Sequence, residues 1–257
     1  MPAKIFLHGG GDRAESRAAT FGRFAAACLH QPADKLALVM AEAEKTAVTS
    51  TSLSTSSQYI AAYRELFTAV GVHPDQLIPL VVTAEKPLTY EMVAQAAPSG
   101  IFVCGGVTPL YHQAAVENPG WTAYLQEANI PFGGTSAGAM IAAETAVLGG
   151  WQATRQGQSR EILFAGAGEG VEQLMVRTGL GLIPFAVDVH ASQMGTLTRL
   201  IHAVELGLVP EGWAIDENTM LVVDGRTPKI YGAGHAYHVQ RSRDGGVNVT
   251  IHVADPN

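Results

Sequence analysis

Short apolar runs alternate with segments of helical period along most of this chain. KIFLHGG (4–10) reads as a strand entering a glycine turn, and AESRAATFGRFAAACL (14–29) as a helix. KLALVMAEA (35–43) is a second strand. SSQYIAAYRELFTAVG (56–71) is a helix with Tyr59, Ala62, Tyr63, Leu66 and Val70 on one face and Gly71 as its stop. Strands follow at QLIPLVVT (76–83), GIFVCGG (100–106) and IPFGG (130–134), separated by helical YEMVAQAA (90–97), LYHQAAV (110–116) and WTAYLQEA (121–128). The alternation predicts an α/β fold, a mostly parallel sheet with helices on both faces. The last third changes character. Asp224–Gly225 and Asp244–Gly245–Gly246 read as hairpin turns between antiparallel C-terminal strands. Ser/Thr-rich 46–57 reads as a loop, with the edge of a binding site as the alternative. No internal repeat or second domain is evident, so 1–257 is read as a single α/β domain.

The pattern turns chemical at GGTSAGAM (133–140), where a strand hands over to an alanine-rich helix pattern through Gly134-x-Ser136-x-Gly138. This fits a nucleophile elbow: the serine backbone is forced into a tight turn and its hydroxyl projects from the sheet end. Flanking glycines leave room for that backbone and for a substrate. The Ala137 N–H, at the helix start, can face a developing oxyanion. The alternative is a packing turn without chemistry. A nucleophilic serine needs a base. His190 ends the apolar run PFAVDVH and precedes a helix carrying Leu197, Leu200, Ile201 and Val204 on one face. The carboxyl end of a strand is where α/β sheets build their sites. His202 and His252 read as structural, and His235 and His238 as surface or lid residues.

Composition narrows the class. The 257 residues are 47% hydrophobic with a formal net charge of −7, which disfavours nucleic acid or an anionic membrane as partner. No apolar run reaches the length of a membrane span. MPAKIFLHGGGD reads as strand and turn rather than as a signal peptide. Two cysteines, Cys28 and Cys104, form no disulfide framework or metal cluster and read as small core hydrophobes. No metal or other cofactor is expected, the location expected is cytoplasmic, and a homodimer is allowed.

With Ser136 and His190 in view, the chain resembles the cyanophycinase and dipeptidase E group of serine peptidases, which have a class I glutamine amidotransferase-like fold. IFLHGGGD (5–12), GIFVCGGVTPLY (100–111), GGTSAGAM, GLGLIPFAVDVHASQMGTLTRL (179–200) and WAIDENTMLVVDG (213–225) carry the resemblance in order. It implies Ser136 as nucleophile, His190 as general base, and the N–H groups of Gly106 and Ala137 as oxyanion hole. Gly105, Thr108 and Arg199 are assigned to substrate binding, and the substrate implied is a short peptide with an aspartyl or isoaspartyl bond.

Two departures stand out. Where the family commonly places the acid that orients the histidine, this chain reads Trp151, Gln152 and Arg155. The candidates are Glu144, Glu161, Glu169, Glu172 and Asp188. Glu144 would lie eight residues along the nucleophile helix, about 12 Å down its axis. Asp188 shares the face of His190 and reads as a capping or positioning group. Glu169 is chosen, ahead of Glu161. Second, members that cleave cyanophycin carry arginines after the histidine; here Met194 and Thr196 stand there and only Arg199 remains. Two rival functions are an α/β-hydrolase esterase, from HGGG at 8–11, and a family member that lost its triad and binds a small ligand. A glutamine amidotransferase would need a cysteine at 136, and Gly9–Gly10–Gly11 does not complete a dinucleotide-binding pattern.

Overall fold

The computed structural model describes residues 4–42, 56–225 and 227–257. Of the Ser/Thr-rich stretch expected as a loop, 46–55 lie outside the described residues. The strands are β1 (Ile5–His8), β2 (Leu36–Ala41), β3 (Leu77–Val82), β4 (Gly100–Val103), β5 (Phe132–Thr135), β6 (Thr145–Gly149), β7 (Gln152–Arg155), β8 (Gln158–Glu161), β9 (Met175–Thr178), β10 (Ala186–Val189), β11 (Glu211–Ile215), β12 (Thr219–Val223), β13 (Lys229–Gly232), β14 (His235–Arg241) and β15 (Val247–Val253). The helices are α1 (Arg23–Cys28), α2 (Ser56–Ala69), α3 (Tyr90–Ala96), α4 (Thr108–Tyr111), α5 (Thr122–Glu127), α6 (Ala137–Met140), α7 (Ala191–Met194) and α8 (Leu197–Glu205).

Seven strands form the main sheet in the order β13-β12-β1-β5-β4-β2-β3. The five from β1 to β3 are parallel, while β12 and β13 join antiparallel at one edge. Alternation along the strands builds two cores. Phe6, Leu36, Leu38, Met40, Phe102 and Cys104 point to one face, where Phe21, Phe24, Cys28 and Phe67 of the α1 and α2 layers meet them. Ile5, Leu7, Ala37, Val39, Ile101 and Val103 point to the other, against α3, α5 and α6. Burial on both faces explains why these strands read as unbroken apolar runs. Both cysteines are buried and unbonded.

A second sheet, β10-β11-β14-β15, carries the C-terminal part. Here β10 and β11 are parallel, and β14 and β15 are antiparallel through the expected turn at 242–246. Its core runs into the second face of the main sheet through Val187, Val189, Leu200, Val204 and Ile215. The parallel β10–β11 pair puts the ends of those strands side by side. Only Asp216, Glu217 and Asn218 separate β11 in this sheet from β12 in the other, so the junction between the two sheets sits at the carboxyl end of both.

The helix after Ser136 is shorter than the alanine pattern predicts. It stops at Met140 because residues 180–182 take its onward carbonyls: Leu180 N donates to Ile141 O, Leu182 N to Ala142 O, and Gly181 N to Ala143 O. Glu144 therefore does not continue the nucleophile helix. Among the described residues no helix is long and apolar enough to cross a membrane.

Phe102 is fully buried, with the rings of Phe21, Phe24 and Phe67 at centroid distances of 5.7, 5.2 and 5.2 Å. Phe102→Ala should cost about 3–5 kcal/mol in urea unfolding while leaving the far-UV spectrum unchanged. A loss under about 1 kcal/mol would show that this cluster does not hold the first core together.

Candidate active site

Ser136 stands at the end of β5, the middle strand of the main sheet, with β1 on one side and β4 on the other. Its backbone sits at φ 51°, ψ −117°, a costly conformation for a residue with a Cβ. The flanking glycines are required by contact. A Cβ on Gly134 would lie 2.3 Å from Gly138 O, and one on Gly138 would lie 2.2 Å from Val103 O. The strained turn aims the serine away from the sheet and at His190. Ser136 Oγ is 3.0 Å from His190 Nε2.

His190 follows β10 in a left-handed conformation, φ 57° and ψ 37°. Its Nδ1 lies 2.9 Å from Glu217 Oε1. A carboxylate there accepts a hydrogen bond from Nδ1–H, which fixes the tautomer whose bare Nε2 accepts from the serine hydroxyl. Glu217 occupies the link between β11 and β12, and its own N–H donates to Gln193 Oε1 at 2.9 Å. The neighbouring Asp216 accepts from Ser192 N at 2.9 Å and from His235 N at 3.0 Å, which ties the turn after His190 to the Glu217 link.

One turn holds all three backbones. Ser136 N donates to His8 O at 3.0 Å, His190 N to Gly9 O at 3.0 Å, and Asn218 N to Gly10 O at 2.6 Å. Nothing larger than glycine fits, because a Cβ on Gly9 would lie 2.1 Å from Asp216 O and one on Gly10 2.1 Å from His190 Cε1. The HGGG stretch thus serves the site through its carbonyls. Gly9 N is occupied by Thr219 O and Gly10 N by His8 Nδ1, which is not the arrangement an esterase oxyanion motif needs.

Across Ser136 from that turn lies Cys104–Val107. A Cβ on Gly105 would sit 3.2 Å from Ser136 Cβ. Gly105 N donates to Tyr63 Oη at 2.8 Å, and Gly105 O accepts from Tyr111 Oη at 2.8 Å. Burial holds both phenols well above their usual pKa, so they stay protonated. Among the described residues the N–H groups of Gly106 and Ala137 have no protein acceptor. Two free amides therefore flank the serine, which suits a developing oxyanion.

Known proteins resemble this chain in both sequence and shape. The cyanophycinases of Synechococcus elongatus and Thermosynechococcus vestitus are each 30% identical to it over 188 residues. The chain is thus similar to cyanophycinases in sequence and to peptidases in fold. The aligned part covers 67% of this chain and 51% of each relative, so the chain spans about half the length of the curated relatives it matches. A crystal structure of a peptidase from an acI-B1 Actinobacterium superposes with a TM-score of 0.60 at 18% identity, over 99% of this chain and 95% of that one. A putative peptidase E from Listeria monocytogenes gives 0.51 at 12% identity, over 91% of this chain and 100% of that one. No family model matches.

Several residues of this cyanophycinase-like chain stand elsewhere than the sequence suggests. The carboxylate beside His190 is Glu217, not Glu169. Glu169 instead accepts the Thr108 N–H at 3.1 Å, just past the Cys104–Val107 turn. Glu161 is exposed on β8, in the hairpin it forms with β7. Arg199, expected to meet substrate, is 1% exposed. Its Nε and Nη2 donate to Asp188 at 2.8 and 2.6 Å and its Nη1 to Ala167 O at 2.8 Å, which leaves no face for a ligand. The Thr108 side chain is buried against Met140 Sδ at 3.6 Å, and both polar atoms of Gly105 are taken by tyrosines. His238 and His252 pack on Trp213, and His235 lies by Asp216. Among the described residues no group of His, Cys, Asp and Glu is placed to hold a metal ion.

His8 is fully buried beneath the site, tilted on Phe21 at a centroid distance of 4.5 Å. Its Nδ1 accepts from Gly10 N and lies 2.9 Å from Thr135 Oγ1, so the ring is neutral with its proton on Nε2. Burial, and then the charge of His190, lower its pKa from 6.5 to about 3. Between those values the unfolded chain binds a proton that the folded protein does not, so stability falls as pH falls through that window. Urea unfolding should show this loss, about 1.4 kcal/mol per pH unit from this residue. His8→Asn keeps an acceptor for Gly10 N–H and should flatten the slope. Identical slopes for both proteins would remove His8 from the account.

Proposed function

We propose that the protein is a serine peptidase that cleaves a short peptide through an acyl-enzyme on Ser136. The observation that carries this reading is the continuous line Ser136 Oγ, His190 Nε2, His190 Nδ1, Glu217 Oε1, with contacts of 3.0 and 2.9 Å. The cyanophycinase relatives and the peptidase folds support the same class of chemistry.

Each step follows from that line. His190 Nε2 takes the hydroxyl proton as Ser136 Oγ attacks the scissile carbonyl carbon. The C=O π pair moves onto oxygen, where the N–H groups of Gly106 and Ala137 receive it. Glu217 stabilises the imidazolium and keeps the ring oriented. The tetrahedral species collapses, the C–N bond breaks, and His190 returns the proton to the leaving amine. Water then enters, His190 takes one of its protons, and the ester is hydrolysed to release the acid and restore Ser136.

The substrate class is read from the family resemblance: an aspartyl or isoaspartyl bond in a short peptide. With Arg199 closed off by Asp188, the segment after His190 offers no guanidinium fork to a substrate carboxylate, which argues for a short peptide over the cyanophycin polymer.

A dipeptide library scored for released amine tests this, together with a fluorophosphonate probe. Wild type should label and cleave, and Ser136→Ala should do neither. Glu217→Gln should cut turnover on the order of 10⁴-fold, as loss of the orienting carboxylate does in such triads. Equal labelling of wild type and Ser136→Ala would remove the serine. Turnover of p-nitrophenyl esters with no amide cleaved would favour the esterase reading.

A further inference from the structure

Glu169 is held in place with unusual thoroughness for a residue outside the triad. Its backbone is left-handed at φ 58°, which a side chain rarely adopts. Gly149 approaches so closely that a Cβ there would lie 2.8 Å from Glu169 Cβ. The preceding turn is fixed by Gly150 N and Val171 N, which donate to Gly168 O at 3.0 and 2.9 Å. Just before it, Ala167 O accepts from the buried guanidinium of Arg199. Burial raises the pKa of the Glu169 carboxyl, opposed by the Thr108 N–H and by Arg199, so the fold keeps this group where its charge is disfavoured. Held strain of this kind points to a task at a functional site.

The task is visible at the other end of the carboxylate. Thr108 N–H is two residues past Gly106, and Glu169 Oε2 is its acceptor. The Gly105 end of the same turn is clamped by Tyr63 and Tyr111. Gly106, between the two clamps, presents the free N–H. A Cβ at Gly106 would lie 2.8 Å from the Tyr111 ring, so the turn is packed tightly on that side as well. We infer that Glu169 is a positioning residue that sets the Gly106 N–H for the oxyanion, acting through the Thr108 N–H. Hydrogen bonds run without a break from Asp188, two residues before His190, through Arg199 and Ala167 to the segment carrying Glu169 and on to Thr108. The strand that holds the base and the turn that holds the oxyanion are thereby fixed to each other.

This inference rests on the peptidase reading, and its experiment separates the two. The proteins are wild type, Glu169→Ala, Glu169→Gln, Thr108→Pro and the Glu169→Ala/Thr108→Pro double variant. Proline removes the same N–H from the other side, and Val107, at φ −77° and ψ 114°, already has the backbone a residue before proline needs. Two readouts are taken: kcat and KM on the best peptide of the library, and the rate of Ser136 phosphonylation. Glu169→Ala should lower kcat and the phosphonylation rate by roughly 10²-fold or more, with KM changed less than about threefold. Glu169→Gln keeps an oxygen acceptor and should recover to within about tenfold of wild type. Thr108→Pro should reproduce the loss, and the double variant should be no worse than either single one, because both remove one bond. If Glu169→Ala does not fold, Thr108→Pro and Glu169→Gln decide. Wild-type rates in the Ala and Pro variants would overturn the inference alone. A loss confined to KM, or equal in Gln and Ala, would assign Glu169 to substrate contact and overturn it too. If wild type neither labels nor cleaves, the peptidase reading fails and takes the inference with it.

Discussion

Three consecutive carbonyls, those of His8, Gly9 and Gly10, determine where the chemistry can occur. Each accepts one backbone N–H, from Ser136, His190 and Asn218 in turn. The first belongs to the main sheet, the second to the end of β10 in the other sheet, and the third to the link between sheets. One rigid turn at the end of β1 therefore fixes the relative position of groups 54 and 27 residues apart in the chain. Side chains on these backbones have little freedom left, which is the condition the proposed nucleophile and base would need. The glycines allow this because the approaching groups come within 2.1 Å of where a Cβ would be. His8 supports the turn from below: its Nδ1 holds the Gly10 N–H, and its neutral state is enforced by burial.

The parallel sheet was legible because its signal is local. Runs such as LALVMA are apolar at every position, as a strand buried on both faces demands. The turn at Ser136 was legible for the same reason, since the glycines that permit it lie within two residues of it. His190 could be placed at a strand end from its own apolar run. Glu217 could not. It meets His190 only because β10 and β11 pair in parallel, a contact that no periodicity encodes. A signal was nonetheless present: Asp216–Glu217–Asn218 is a polar triplet set between the apolar runs of β11 and β12. The family's usual place for the acid, near Trp151–Arg155, pointed the search upstream of His190, while Glu217 lies downstream of it. Convergent triads share geometry and not order. The alanine-rich run after Ser136 misled in a related way. Its propensity favours a longer helix, but the N–H groups of residues 180–182 compete for its carbonyls and win.

Arg199 illustrates why residue type alone does not assign a role. A guanidinium near His190 invites a carboxylate ligand, and it has one, but the carboxylate is Asp188 of its own chain. The fork of Arg199 matches that carboxylate bidentately, and the third donor direction is filled by Ala167 O. Burial disfavours the guanidinium charge, yet Asp188 and then Glu169 outweigh this and hold its pKa above the usual value. Pairs of this kind add little net stability over an apolar replacement, because desolvating both charges offsets their attraction. What the pair supplies is direction. It locks α8 to β10 and pins the segment that returns from the β7–β8 hairpin, so that Glu169 arrives at Thr108 in one orientation. Removing one partner would leave a buried charge unpaired and release that segment together, whereas a matched apolar pair would keep the packing and lose the register. The charges on this side of the site therefore act more as alignment of the segment that meets Thr108 than as a store of folding energy.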